Sequence, residues 1–144
     1  MFLLLCVIKE VKMISKFILW FEKHNKISWA ITILVAVFIF YMSSKTFPSG
    51  TPTTSFLSIL YHFLVFAVFA FFLSLAIIRG SSKNFNYLLT LIILISVVYA
   101  ISDEFHQFFV PGRTSGLKDI LTNSAGILFS GFFYSVSVKF RNNH

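Results

Sequence analysis

A chain of 144 residues has room for one compact unit but not for two domains. Apolar residues make up 57% of it and charged residues 12%, against ~45–50% and ~25% in soluble domains, which excludes an ordinary soluble protein. The net charge of +7 comes from Lys and Arg at the ends of long apolar runs. That placement is typical of membrane proteins and argues against nucleic-acid binding. The single cysteine, Cys6, excludes an internal disulfide and a thiolate metal cage.

Residues 1–26 are predicted to form a cytoplasmic, interfacial amphipathic segment. Apolar residues recur there at helical spacing and the lysines lie largely off that stripe, which suits a helix on an anionic inner leaflet. The stripe consists of Val7, Val11, Ile14, Ile18 and Phe21, and the lysines are Lys9, Lys12, Lys16 and Lys23. A signal peptide is less favoured, because no basic stretch precedes Phe2–Ile8 and no small-residue cleavage site follows. Translation could also begin at Met13 instead of Met1.

The remainder, residues 27–140, is predicted to be an all-α domain built as a four-transmembrane-helix bundle. A span needs ~20 residues at ~1.5 Å per residue to cross the hydrocarbon. Four apolar runs supply such lengths, with spans of about 27–46, 56–78, 87–108 and 119–138. The third run reaches this length only if its helix continues through Glu104 to Phe108.

The connections between these runs contain turn-forming residues. Residues 48–52 contain two prolines and a glycine, which interrupt helical structure in the first connection. Arg79–Asn86 forms the second connection. Pro111-Gly112 in the third predicts a type II turn, because Pro presets the first central φ and Gly permits a positive second φ.

The distribution of basic residues predicts the orientation. Four crossings place both termini on one side, and that side collects nine of the twelve Lys and Arg residues. The other side has only Lys45, Arg113 and Lys118. An excess of positive charge marks the cytoplasmic side, so both termini of this multi-pass protein are expected in the cytoplasm.

With this topology, the unusual polar residues all lie at the extracytoplasmic end. Helix stability does not explain Asp103 and Glu104, since the helix dipole disfavours anions near a C-terminus by ~0.3–1 kcal/mol. Ionisable groups at that depth are also costly and usually functional. Asp119 as a helix cap, Asn123 as an interhelical bridge and His62 as neutral packing remain simpler interpretations. The candidate site residues are Asp103, Glu104 and His62 for catalysis, and His106, Gln107, Arg113, Asp119 and Asn123 for ligand binding.

Two helical faces predict that these residues meet in one pocket. Asp103, His106 and Gln107 share a face at i, i+3 and i+4. A second face consists of Asp119, Asn123, Gly126 and Ser130. Small residues on that face let another helix approach closely, so packing the two faces together would assemble carboxylates, an amide and a histidine. Arg113, folded back by the turn, is the expected partner of Glu104 through two parallel hydrogen bonds.

The same residues carry a family resemblance. Residues 102–113 read SDEFHQFFVPGR and residues 119–126 read DILTNSAG. An Asp-Glu pair, a Gln three residues after the Glu, an Arg, and then Asp and Asn-x-x-Gly resemble the signature of the VanZ-like family. The resemblance extends more weakly to Ser43-Ser44 and His62-Phe63, and departs at Phe66, where the family often has Tyr. It implies a four-helix integral membrane protein of the cell envelope, in a family whose namesake is associated with resistance to the glycopeptide teicoplanin.

Two classes of function follow from these residues, and the teicoplanin contribution in the first is implied by the family resemblance. In the first, the protein recognises or protects an outer-leaflet lipid-linked or glycan headgroup through Arg113 and the carboxylates, with a contribution to teicoplanin resistance. In the second, it is a membrane-embedded enzyme acting on a lipid-linked headgroup. Asp103 or Glu104 is then the general base, and His62 or His106 the acid or a metal ligand.

The cofactor and partner expectations are limited. Asp103-x-x-His106 has the spacing of half a carboxylate–histidine metal motif in helix bundles, which leaves a metal open as an alternative. No cofactor fingerprint is present, so no cofactor is expected. The expected partners are membrane lipids and a lipid-linked glycan or glycopeptide, with no nucleic acid, and the oligomeric state stays open. A transporter is less favoured, because four short helices enclose little volume.

Overall fold

The chain folds entirely into helices. The computed structural model describes residues 2–46, 56–80, 83–113 and 115–142, with side chains from Lys12 onward. Within these ranges there are five α-helices and no strand, which confirms the all-α prediction. They are α1 (Phe2–Lys23), α2 (Asn25–Ser43), α3 (Phe56–Ile78), α4 (Phe85–Phe108) and α5 (Leu117–Asn142). The predicted turn at residues 48–52 lies outside the described residues.

The helices follow the apolar runs of the sequence. No proline or glycine interrupts α2, α3 or α4, so each run can continue as one helix. α3 covers the predicted residues 56–78. α4 continues through Glu104 to Phe108, as it must if the third apolar run is to be long enough to cross a membrane. α1 and α2 are separated only by His24, so the N-terminal helix is tied closely to the bundle.

The turn between α4 and α5 is the predicted one. Gly112 has a φ of 78°, and the Arg113 N–H donates to the Val110 carbonyl over 3.2 Å. A positive φ at the second central position defines a type II turn. The turn directs Arg113 back towards the bundle.

Three helices are long and apolar enough to cross a membrane. Among the described residues these are α2, α3 and α4. Their outer surfaces carry large exposed apolar side chains such as Leu34, Leu57 and Val98, and apolar patches of that extent suit lipid rather than water. α5 is not one of the three. Its 26 residues include Lys118, Asp119 and several serines, which lower its mean hydropathy.

α3 lies at the centre of the bundle and contacts each of the other four helices. Its closest neighbour is α5, because Gly126 lets the two backbones approach. A Cβ at Gly126 would collide with the carbonyl oxygen of Phe63. Ser130, one turn further on, is also buried. The small residues of α5 therefore bring the N-terminal parts of α3 and α5 together. The sequence predicted a close helix neighbour for this face but placed α4 there, and at Gly126 the neighbour is α3.

α1 packs into the bundle at its C-terminal end. Ile18 is fully buried in the core, and Ile14 and Phe21 pack against it, while Lys12, Lys16 and Lys23 are exposed. The contacts are with α2, α3 and α5. The predicted apolar stripe thus faces other helices over its described part, and the side chains of Val7 and Val11 lie outside the described residues.

Candidate functional site

Three buried polar side chains meet where the start of α3, the end of α4 and the start of α5 come together. His62, Glu104 and Asn123 expose only 5%, 3% and 0% of their surface. Asn123 bridges the other two: its Nδ2 donates to Glu104 Oε1 over 3.3 Å, and its Oδ1 lies 3.1 Å from His62 Nδ1. An ionised carboxylate only accepts hydrogen bonds, so this amide orientation makes His62 Nδ1 the donor to Asn123. One amide therefore positions both titratable groups.

The Glu104 carboxylate is incompletely satisfied. Its Oε1 lies 3.5 Å from Gln107 Nε2 and 4.0 Å from His62 Nδ1, in addition to its bond from Asn123. Its Oε2 is buried without a hydrogen-bond partner among the described residues, although the Gly116 backbone amide is close to the carboxylate. A buried polar atom left without a partner costs ~1–3 kcal/mol. This oxygen is therefore where the donor of a ligand would be most strongly stabilised.

Asp103 joins the site through Gln107. The Gln107 Nε2 that approaches Glu104 also donates to Asp103 Oδ2 over 2.8 Å, so one amide group links the two carboxylates. Tyr61 also lies close to Asp103, and its hydroxyl is buried without a hydrogen-bond partner in the described part of the chain. We call the set His62, Asp103, Glu104, Gln107 and Asn123 the Glu104 cluster.

Arg113 attaches the α4–α5 loop to the end of α2, and the described contacts do not include the two hydrogen bonds to Glu104 that the sequence predicts. Its Nε donates to the Lys45 carbonyl over 3.1 Å and its Nη2 donates to the Met42 carbonyl. These are carbonyls at and just beyond a helix C-terminus, where cations are favoured. Burial lowers the pKa of the Arg113 guanidinium from its ordinary value, whereas Tyr61 and the three nearby carboxylates act to raise it. Arginine stays protonated in proteins, so a cation borders the Glu104 cluster.

One protein-family match covers α1 to α4 and most of α5. Residues 2–138 match the family model described as VanZ/LLP1. The chain belongs to the VanZ/LLP1 family. Together with the three apolar helices, this makes it a membrane protein, and it confirms the resemblance drawn from residues 102–126. The comparisons with curated proteins and with solved structures gave no match.

In this VanZ/LLP1 protein, His106 faces α2 and not the Glu104 cluster. Its ring stacks on Phe40 with centroids 4.7 Å apart, and its Nε2 lies 3.0 Å from Ser44 Oγ. Three residues along a helix correspond to a rotation of about 300°, so His106 is offset by about 60° from Asp103. That offset is enough to direct the His106 ring to a different neighbour. A protonated His106 would still interact electrostatically with Asp103.

Asp119 lies in the first turn of α5 but does not begin the helix. Its N–H donates to the Gly116 carbonyl over 3.0 Å. Leu117 and Lys118 precede it in the helix. A carboxylate there is stabilised by the positive end of the helix dipole. Asp119 is also near enough to Glu104 to interact with it electrostatically. Both the capping and the site interpretation are therefore compatible with its position.

The half metal motif at Asp103 and His106 gains no further ligands within the described part of this VanZ/LLP1 protein. Over the described ranges, no group of three His, Cys, Asp or Glu side chains is arranged to hold a metal ion. His106 turns towards Ser44, while Asp103 bonds Gln107.

A second buried carboxylate, which the sequence analysis missed, lies at the other end of the bundle. Glu22 of α1 accepts a hydrogen bond from the Tyr134 hydroxyl at 2.7 Å on Oε1, and from Arg141 Nη1 at 2.8 Å on Oε2. Gly80, with a φ of 69°, packs against the Glu22 carboxylate, and a Cβ at Gly80 would lie 2.8 Å from Glu22 Oε2. We call Glu22, Tyr134 and Arg141 the Glu22 cluster. Its sequence signals were weak: Glu22 is one of two acidic residues in α1, and Arg141 lies near the C-terminal end of α5.

Proposed function

We propose that this VanZ/LLP1 protein crosses the membrane four times, with both termini in the cytoplasm and α1 at the inner interface. α5 supports the fourth crossing: at ~1.5 Å per residue its 26 residues reach roughly 39 Å, against ~30 Å of hydrocarbon. Its polar Asn123 and Ser130 are buried against other helices, while Leu121, Leu128 and Phe132 are exposed. The low hydropathy of α5 thus comes largely from residues that would not meet lipid.

Reporter fusions test this topology. A fusion after Gly112 should report an extracytoplasmic location and a fusion at His144 a cytoplasmic one, because nine of the twelve basic residues lie on the proposed inner side. A cytoplasmic signal after Gly112 would overturn both the topology and the placement of the Glu104 cluster at the outer leaflet.

On this topology, the Glu104 cluster recognises the headgroup of an outer-leaflet lipid, either a lipid-linked glycan or another lipid-linked headgroup. The observation that carries the proposal is the buried Glu104 carboxylate, positioned by Asn123 and left with one oxygen unpartnered in the described residues. Charged groups inside membrane proteins are retained mainly for function. A donor on the headgroup would satisfy Glu104 Oε2.

Glu104→Gln tests this proposal, because it keeps the side-chain shape and removes the charge. Purified wild-type and variant proteins would be compared by lipid mass spectrometry of co-purified material and by thermal melting in detergent. We expect the variant to melt near the wild-type temperature and to lose the enriched lipid. An unchanged set of co-purified lipids in a stable variant would overturn the proposal.

A contribution to teicoplanin resistance is a further part of this proposal, supported by the family resemblance. A protein that covers the headgroup would shield it from the glycopeptide. Cells that express the wild-type protein should then tolerate a higher teicoplanin concentration than cells that express Glu104→Gln at equal abundance. Equal susceptibility would limit the function to lipid recognition.

A second candidate function is a membrane-embedded enzyme that acts on a lipid-linked headgroup. The observation that favours it is the 4.0 Å separation of His62 Nδ1 and Glu104 Oε1, which places an acid and a base side by side with Asp103 nearby. Incubation with a radiolabelled lipid-linked headgroup should then give a product that Glu104→Gln and His62→Asn do not form. Binding without turnover would exclude this alternative.

A further inference from the structure

An apolar groove runs along the lipid-facing side of α2 and α3. Its volume is about 550 Å³, within the ~300–1,000 Å³ of small-molecule sites. The lining comes from α2 between Ile31 and Phe38 and from α3 between Tyr61 and Val68. Seven residues of helix rise about 10 Å, so the groove is long enough for a segment of an extended chain. Its walls are aliphatic or aromatic throughout, which suits a hydrocarbon.

Tyr61 connects this groove to the Glu104 cluster. Its ring forms the end of the groove, while its buried hydroxyl has no hydrogen-bond partner among the described residues. Both Asp103 and Arg113 act on that hydroxyl electrostatically. One side chain thus belongs to an apolar groove and to a polar site at the same time. An amphiphilic molecule, with a hydrocarbon chain and a polar head, matches this arrangement.

The charges at this end of the groove favour a zwitterionic head. Three carboxylates, those of Asp103, Glu104 and Asp119, interact electrostatically with the guanidinium of Arg113. A head with only negative charge would face three like charges, and repulsion of that kind discriminates strongly between ligands. A head with a phosphate and an ammonium group finds a cation and a hydroxyl for the phosphate, and carboxylates for the ammonium group.

We infer that an aminophospholipid binds here, with one acyl chain in the groove between α2 and α3, its phosphate at Tyr61 and Arg113, and its ammonium group at Asp103 and Glu104. This inference rests on the proposed headgroup recognition and assigns its lipid class. It adds the chain-binding groove and Tyr61, neither of which belongs to the Glu104 cluster.

Two valine substitutions test the groove. Val68 lines it and is 41% exposed, whereas Val98 is a lipid-facing valine of α4, 65% exposed, that does not line it. Native mass spectrometry of the full-length protein would measure binding of phosphatidylethanolamine and phosphatidylglycerol with identical chains. The wild-type protein should retain one phosphatidylethanolamine per chain in preference to phosphatidylglycerol. Val68→Trp should lose this adduct and Val98→Trp should keep it.

Tyr61→Phe tests the head position, because it removes only the hydroxyl. A hydrogen bond to a charged group contributes ~1.5–3 kcal/mol, so we expect phosphatidylethanolamine to bind at least about tenfold more weakly. Equal binding of both lipids, or equal behaviour of Val68→Trp and Val98→Trp, would overturn the inference and leave only non-specific boundary lipid.

The same measurement separates this inference from the proposed function. If Glu104→Gln changes the bound lipid and Val68→Trp does not, headgroup recognition stands and the groove is refuted. If Val68→Trp changes the bound lipid and Glu104→Gln and Tyr61→Phe do not, the groove binds an acyl chain and the protein does not recognise the headgroup. That result refutes both the lipid class inferred here and the proposed function.

Discussion

Glu22 and Glu104 are both buried carboxylates, but the bundle treats them differently. Glu22 receives one hydrogen bond on each oxygen, from Tyr134 and from Arg141, at 2.7 and 2.8 Å. Glu104 receives hydrogen bonds on Oε1, at 3.3 and 3.5 Å, whereas its Oε2 has no hydrogen-bond partner among the described residues, although the Gly116 backbone amide is close to the carboxylate. The first has a neutralising cation at hydrogen-bond distance. The second has an amide and a histidine.

The difference separates a structural role from a functional one. A buried ion pair with complete hydrogen bonding holds its helices in place, and removing one partner leaves an uncompensated charge. A buried carboxylate with an unused acceptor contributes little to folding, so its retention needs another explanation. We therefore assign the Glu22 cluster to the attachment of α1 and the Glu104 cluster to ligand recognition.

The largest expected effect comes from breaking the Glu22 cluster. Arg141→Met leaves Glu22 buried without its cation and should lower the free energy of unfolding by about 3–5 kcal/mol. Lys139→Met removes the same charge from a nearby exposed position and should change it by less than ~0.5 kcal/mol. Denaturant titration in detergent measures both variants. If the two lose equal stability, the cluster does not hold α1.

An intermediate effect should follow from separating α3 and α5. Gly126→Ala places a methyl group against the Phe63 backbone carbonyl, and overpacking of this kind costs ~1–3 kcal/mol. It should also move His62 away from Asn123 and weaken lipid binding. Gly131→Ala is the matched control, because its added Cβ meets the flexible end of Ile93 at 3.3 Å. Normal lipid binding by a folded Gly126→Ala protein would contradict the assembly of the site by close packing.

A smaller change in stability, but loss of function, is expected at Glu104. Glu104→Gln should alter the free energy of unfolding by less than ~1 kcal/mol, since no cation loses its partner at hydrogen-bond distance in the described contacts. Glu22→Gln, the same substitution in the other cluster, should be clearly destabilising and leave lipid selectivity intact. Similar melting temperatures for the two variants would remove the distinction between the clusters.

The smallest effect should be that of Asp119→Asn. Asparagine keeps a polar group in the first turn of α5 but gives up the favourable interaction of a carboxylate with the helix dipole, worth ~0.3–1 kcal/mol. Detergent melting would register this as a shift of a few degrees at most. Unchanged lipid selectivity would then remove Asp119 from the site, and altered selectivity would place it there.

The sequence predicts the elements that depend on local chemistry. Uninterrupted apolar runs fix α3 and α4, Pro111-Gly112 fixes the turn, and Gly126 predicts the close approach of α5 to another helix. The meeting of Glu104 with Asn123 follows from the same small-residue face. These features need only periodicity and the conformational preferences of Pro and Gly.

Other features depend on long-range packing and could not be predicted in this way. Glu22 and Arg141 are 119 residues apart, and nothing local indicates that α1 reaches the end of α5. Tyr61 lies in an apolar run, where a tyrosine is equally compatible with a membrane interface. Helical spacing puts His106 on the face of Asp103, but spacing defines a face only to within about 60°, and packing decides which neighbour His106 meets.

The position of Glu22 in the chain also has a consequence for biosynthesis. Glu22 belongs to α1, whereas Arg141 lies near the end of α5, which is made later. At ~5–20 residues per second, the 119 residues between them delay the arginine by roughly 6–24 s. Until then the carboxylate lacks its partner guanidinium, so α1 docks stably only after the end of α5 has been made. Any chain that stops before Arg141 therefore keeps Glu22 without its cation, and its first helix is held less tightly.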